Sequence, residues 1–353
     1  MIISSPGRIC LFGEHQDYLG LPVIATAISL RLTIQANKRD DQKIHIKLPD
    51  IGSQESFSIE GDLIYSKPAD YFKSGINTLR KDGFNFSKGL DVTVRGRIPV
   101  QAGTSSSSAL VVSWINLLSR MSDQGTELDP EQLADLAYRA EVTEFDESGG
   151  LMDQYTSALG GVVYIESEPK VSVKKISCDF GTFVLGDSLE KKDTQNILAK
   201  SKEKVIDIVN RIKTERAEFS LKNIICSEIS EMKFLSSYDR SLLTKTIANR
   251  DITLQGLSIL NEETINNKKF GSLLNQQQAI LRDTLEVSTS KIDSMLEAAL
   301  NAGALGGKIN GSGGGGCMFV YAPNDPEEIV IAIEKAGGKG YVVHSDIGSS
   351  IDD

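Results

Sequence analysis

A short apolar run, Ile9 to Phe12, breaks at Gly13 and delivers Glu14, His15 and Asp17 within four residues. Charged groups this close together need partners when buried. They could serve a metal, a proton transfer, a substrate, or only solvent. A transition metal is disfavoured, because the chain has three histidines (His15, His45, His344) and no helical HExxH. On its own, His15 reads as a satisfied structural histidine.

A second candidate is PVQAGTSSSSALVVSW, where a glycine and a run of small residues open a long helix. The first N–H groups of a helix lack intrahelical partners, and the helix dipole behind them favours an anion. A hydroxyl there can also ligate Mg²⁺. An ordinary N-cap needs one serine and this segment has four in a row, which favours phosphate binding. It is not a Walker A loop. No GxxxxGK[ST] occurs, and Lys308 is followed by Ile309.

The third is KINGSGGGGCMFVY. Gly311, Gly313 and Gly316 formally satisfy G-x-G-x-x-G, but the residues after Gly316 read as a strand where the dinucleotide fingerprint requires a helix. Five glycines in six positions exceed what a hairpin turn needs, so close approach or positive φ is expected. The fourth is AEVTEFDESGGLMDQYTSALGG. Its carboxylates could form a solvated face. Asp153 is the exception: it follows Leu151 and Met152 in a glycine-bracketed turn and should be partly buried with a partner, while Glu141 stands at a helix end.

The elements that must position these residues can be read around them. Residues 2–48 alternate like strands. PADYFKSGINTLRKDG has helical spacing and stops at Gly83, and GLDVTVRGRIPVQ returns to period two. SSSSALVVSWINLLSRMSD predicts a helix with serines at its cap, and Asp129-Pro130 opens another. VVYIES and FVLGDSL read as strands. Amphipathic helices run from Asp193 to about Asn301, and the strand GYVVHS follows the glycine segment. Strands then helices, twice over, predict two α+β domains meeting at a cleft, with a boundary near 175–185.

The chain has 353 residues, 24% charged, with a net charge of −10. That balance argues against nucleic acid, whose phosphates want a basic face. Four dispersed cysteines without a CxxC signal neither a zinc site nor a disulfide framework. With no signal-peptide pattern and no long apolar run, the expectation is a reduced, cytoplasmic protein with no membrane partner.

Taken in order, SPGRICLFGEHQDYLGLPV (5–23), IPVQAGTSSSSAL (98–110) and GGKINGSGGGGC (306–317) resemble the three motifs of the GHMP kinases. That superfamily includes galactokinase, homoserine kinase, mevalonate kinase and phosphomevalonate kinase. SGGLMDQYTSALGG (148–161) resembles the galactokinase segment around its catalytic aspartate. The resemblance implies an α+β fold of two domains with the active site between them. These are an N-terminal domain (1–180) with a left-handed β-α-β unit and a C-terminal ferredoxin-like domain (181–353).

The resemblance also implies ATP as co-substrate, with Gly103, Thr104, Ser105, Ser106, Ser107, Ser108 and Ala109 around its phosphates and Mg²⁺ on Ser107 and Glu141. It places Asp153 as the catalytic aspartate with Arg8 paired to it. Glu14, His15, Asp17, Gly150 and Asp153 would hold the substrate, and Gly311, Ser312, Gly313 and Gly314 would pack against it and the phosphate loop.

Mevalonate kinases read roughly GEHxVVYGxPA in the first motif, and galactokinases GRxNLIGEHxDYNGG. Arg8 and Asp17 follow the galactokinases, while Cys10 for Asn, LGLP for NGGF and Thr104 for Leu depart from them. GDSLEKKDTQNILAKSKEKV looks more like the archaeal mevalonate or heptose kinase branch. The expected reaction is ATP-dependent phosphorylation of a sugar hydroxyl, the anomeric C1-OH of galactose or a related aldose. Mevalonate or heptose-phosphate kinase activity and a non-catalytic galactose sensor are the alternatives. The intact SSSSAL and Asp153 favour catalysis over the sensor.

Overall fold

The computed structural model describes residues 1–147, 149–190 and 194–352. Its first sheet grows from two long antiparallel strands, β1 (Ile2–Phe12) and β2 (Val23–Lys38). Both are apolar on both faces where they cross the centre of the molecule, and the reason is that each face meets a different core. Ile3, Cys10, Val23 and Ala25 join one cluster, whereas Ile9, Leu11, Phe12, Ile24 and Ile28 join another. Side chains alternate along a strand, so a strand between two layers loses its polar face.

The chain continues through β3 (Lys43–Leu48), β4 (Ser53–Ser58), α1 (Tyr71–Lys81) and β5 (Leu90–Gly96). β5 runs parallel to β3 and antiparallel to β2. Next come α2 (Ser106–Met121), α3 (Pro130–Glu141), α4 (Met152–Leu159), β6 (Val162–Glu166) and β7 (Ser172–Ile176). Asp129 caps α3 with a reciprocal capping box through Gln132. Trp114 of α2 is fully buried, and its indole N–H donates to Phe72 O at 2.9 Å, which docks α2 on α1. Asp153, expected in a turn, lies in the first turn of α4; the glycines end at Gly150, and the residues from Met152 wind into a helix. Ser148, the first residue of that expected segment, and Asp193, the expected start of the later helices, lie outside the described residues.

The second sheet holds β8 (Phe183–Asp187), β9 (Gly306–Ile309), β10 (Cys317–Tyr321) and β11 (Lys339–Val343), all antiparallel in the order β11-β8-β10-β9. With α9 (Ser290–Asn301) and α10 (Pro326–Lys335) it forms the β-α-β-β-α-β unit of a ferredoxin-like fold. Four helices are inserted after β8: α5 (Thr194–Glu215), α6 (Cys226–Glu231), α7 (Ser237–Leu260) and α8 (Asn267–Asp283). α7 lies against β1, and a β-carbon on its Gly256 would collide with the Phe12 ring, so only glycine allows this approach.

The change of sheet falls between β7 and β8, but the end of the chain crosses back. β12 (Ser350–Asp352) pairs antiparallel with β1. Arg31 on β2 clasps this tail, donating to Ser4 Oγ and O, to Asp346 Oδ2, to the carbonyls of Ile347 and Gly348, and to Ser350 Oγ, all at 2.8–3.0 Å. Arg31→Ala should cost about 2–3 kcal/mol of unfolding free energy, because several charge-assisted bonds to the tail are lost together. Denaturant melts would show no shift in midpoint if the clasp were decorative.

Candidate active site

The loop before α2 is held in conformations that side chains resist. Gln101 (φ 55), Gly103 (φ 81) and Ser105 (φ 61) are left-handed, and each non-glycine costs of order 1 kcal/mol or more. Ser105 stands where an N-cap belongs, but it is not extended as a capping residue is, and its hydroxyl makes no capping bond. The expected serine cap is therefore absent. The first helical bond runs from Ala109 N–H to Ser105 O at 2.9 Å, so the N–H groups of Ser106, Ser107 and Ser108 precede it. Ser105 Oγ is buried without a partner. Open N–H groups at the positive end of a helix form an anion site.

Gly103 and Ser105 to Ser108 line a cleft of about 760 Å³. Thr104 and Ala109 do not reach it. Thr104 is fully buried, with its hydroxyl on Pro99 O at 3.3 Å and its carbonyl accepting Arg8 N–H at 3.2 Å. Ala109 is one turn further along α2 and joins the core.

Across the cleft, Arg8 of β1 aims its Nε and Nη2 at Asp153 Oδ1, both at 2.8 Å, and its Nη1 at Gly103 O at 2.5 Å. Burial works against the guanidinium charge, but Asp153 and Glu14 outweigh it and raise the pKa above its ordinary value. Asp153 is the more open partner, its side chain 29% exposed. Among the described residues its Oδ2 has no hydrogen-bond partner.

Glu141 closes α3 at 5% exposure and accepts Gln154 Nε2 at 2.7 Å, with the Ser107 and Ser108 side chains beside it. Burial pushes its carboxyl up to about 7, with the charge of Asp153 adding to the rise and the polar side chains of Ser107, Gln154 and Ser108 opposing it. A serine hydroxyl beside a carboxylate offers hard oxygens suited to Mg²⁺, which takes its other ligands from phosphates and water. Among the described residues no group of three or more His, Cys, Asp or Glu could hold a metal ion.

The raised carboxyls have a consequence for the ligand-free protein. Asp17 is lifted to about 6 and Glu141 to about 7, so the folded chain binds protons more tightly than the unfolded one. The stability these two groups contribute is fully present only below their ordinary carboxyl range and is lost as pH rises through 6 and 7. Melting the apo protein between pH 5 and pH 8 should give a lower Tm at the higher pH. A Tm that rises over that interval would contradict the assignment.

The Glu14-His15-Asp17 group divides its work. Glu14 is 2% exposed, with Lys308 Nζ on Oε2 at 2.5 Å and Gly311 N–H on Oε1 at 2.9 Å. His15 places Nδ1 3.3 Å from the Tyr18 hydroxyl and Nε2 3.1 Å from Ser312 O. Asp17 accepts the Tyr18 N–H on Oδ1 at 2.9 Å, and its Oδ2 lies where a β-carbon on Gly150 would be. All three line the cleft together with Gly150, Gly311 and Ser312. Gly313 and Gly314 turn away: the first packs on Val287, and the second donates its N–H to Val287 O at 2.8 Å.

Residues 70–161 match the GHMP kinase N-terminal domain and residues 260–339 the GHMP kinase C-terminal domain, while residues 1–38 match the galactokinase galactose-binding signature. A mevalonate kinase of Thermococcus sibiricus is 32% identical over 96% of this chain and 94% of its own. The chain belongs to the GHMP kinases. A galactokinase of Clostridium tetani is 28% identical over 89% of this chain and 82% of its own. The fold also matches the crystal structure of Lactococcus lactis galactokinase complexed with galactose, with a TM-score of 0.86 at 23% identity, covering 99% of this chain and 95% of that one. As a GHMP kinase the chain uses ATP as co-substrate. No helix among the described residues is long and apolar enough to cross a membrane.

Three residues that hold cleft residues of this kinase in place escape a reading of the motifs. Asn310 accepts the Cys10 N–H on Oδ1 at 2.9 Å and donates to Gly103 O at 2.8 Å, tying the first and third motifs to the phosphate loop. Gln154 holds Glu141, and its own Oε1 is buried without a partner. Lys308 is the third. A lone charge inside the apolar strand GGKI was the available signal for it.

Proposed function

We propose that this GHMP kinase phosphorylates a sugar hydroxyl, the anomeric C1 hydroxyl of galactose or a related aldose, giving the sugar 1-phosphate and ADP. The observation that carries this reading is Asp17, a second carboxylate in the cleft beside Asp153, seated against Gly150 with one oxygen on its neighbour's N–H. Adjacent carboxylates can accept hydrogen bonds from vicinal sugar hydroxyls. The match of residues 1–38 to the galactose-binding signature supports it.

In this reading Arg8 fixes Asp153 so that its free oxygen accepts the proton of the attacking hydroxyl or orients it. The N–H groups of Ser106 to Ser108 hold the ATP phosphates in line with that hydroxyl, as a loose phosphoryl-transfer transition state requires. Ser107 and Glu141 would hold Mg²⁺, which neutralises phosphate charge when bound.

Mevalonate is the second acceptor to weigh, on the strength of the 32% identity to the Thermococcus sibiricus enzyme. A coupled ADP-release assay over galactose, galacturonate, arabinose, a heptose phosphate and mevalonate decides between them. Turnover on galactose or another aldose is expected, and turnover on mevalonate alone overturns the sugar reading.

A further inference from the structure

Lys308 is fully buried in β9, and no step of the proposed reaction uses it. Its ammonium meets Glu14 Oε2 at 2.5 Å and Ile309 O at 3.0 Å, and lies 5.2 Å from the centre of the Phe319 ring. Glu14 is tethered to the same side by Gly311 N–H, and its carbonyl accepts Asn249 Nδ2 at 3.0 Å, Asn249 being held in turn by Gln277 at 2.6 Å. The next residue, His15, reaches Ser312 O. The Glu14-His15 edge of the cleft is thus hung from β9, the glycine loop and α7.

Stability alone does not account for such a pair. Desolvating two charges costs several kcal/mol, and a well-packed apolar pair is often as stable or more so. An apolar pair could not keep an ionised carboxylate in a dry wall. A carboxylate oxygen has two acceptor positions; Lys308 and Gly311 take one on each, so both Glu14 oxygens keep acceptor capacity, and Glu14 is among the residues that line the cleft.

We infer that Lys308 is a positioning residue for the acceptor: it holds Glu14 charged and aimed, so that Glu14 accepts a hydroxyl of the bound acceptor. This rests on the reading in which the acceptor occupies the cleft beside Glu14 and Asp17, but not on the acceptor being a sugar.

The test is steady-state kinetics on whichever acceptor the wild type turns over. In Lys308→Met the acceptor KM should rise about tenfold or more, because one partner of a buried pair is gone. ATP KM should stay within about threefold. The double variant Glu14→Gln/Lys308→Met has no unpaired buried charge, so its Tm should return towards the wild-type value while its acceptor KM stays raised. An unchanged acceptor KM in Lys308→Met overturns the inference. So does a double variant that recovers Tm and acceptor KM together, which would make the pair a packing device. A wild type that turns over mevalonate and no sugar sinks the sugar reading, and the same ratios are then read on mevalonate.

Discussion

Asp153→Asn should lower kcat by about 10³-fold, the middle of the range for removing a positioned proton acceptor. The substitution is chosen to spare the fold. Arg8 sends both Nε and Nη2 to a single oxygen, Oδ1, and an asparagine can still offer an oxygen there. The third Arg8 contact, to Gly103 O, does not involve residue 153. What the amide loses is the free carboxylate oxygen facing the cleft. Nucleotide affinity, measured by calorimetry, should stay near wild type, because the phosphate seat is built from α2 and its loop. Acceptor affinity should change little, since Asp17, Glu14 and His15 remain. A kcat within about tenfold of wild type would show that placement and charge carry the transfer, which the loose transition state of phosphoryl transfer permits, and base catalysis by Asp153 would be withdrawn.

Local chemistry was legible where neighbours in sequence do the work. The helix behind the serine run, the Asp129 cap and the strand after Gly316 follow from short-range patterns and stand where those patterns put them, whereas the serine cap expected from the same run is not made. Contacts across the chain were not legible. Glu14 looks like a free acid in its own segment, yet its partner lies 294 residues away on another sheet. Thr104 and Ala109 share the serine run, but helical geometry and the Arg8 N–H contact turn both from the cleft. The return of β12 to β1 depends on sheet register and on Arg31, which no local pattern reports.

In the proposed reading acceptor choice turns on Asp17, and its replacement should act on KM alone. Asp17→Val removes an acceptor of hydroxyl hydrogen bonds and should raise the KM for a sugar by about 10- to 100-fold, the effect of leaving one or two polar groups unpaired. ATP KM should not follow it. Gly150→Ala should act in the same direction without touching the carboxylate chemistry, because the added methyl claims the space of Oδ2 and pushes Asp17 from its seat. The same residue predicts a pH dependence. Burial lifts the Asp17 carboxyl to about 6, the charges of Asp153 and Glu14 add to the rise, and the Tyr18 N–H and Arg8 oppose it. Donated hydroxyls favour the ionised form, so the acceptor KM of the wild type should climb as pH falls below about 6, and the climb should disappear in Asp17→Asn. A flat wild-type profile would mean that Asp17 does not grip the acceptor. If Asp17→Val left the sugar KM unchanged, the distinction between a sugar and mevalonate would have to come from elsewhere in the cleft.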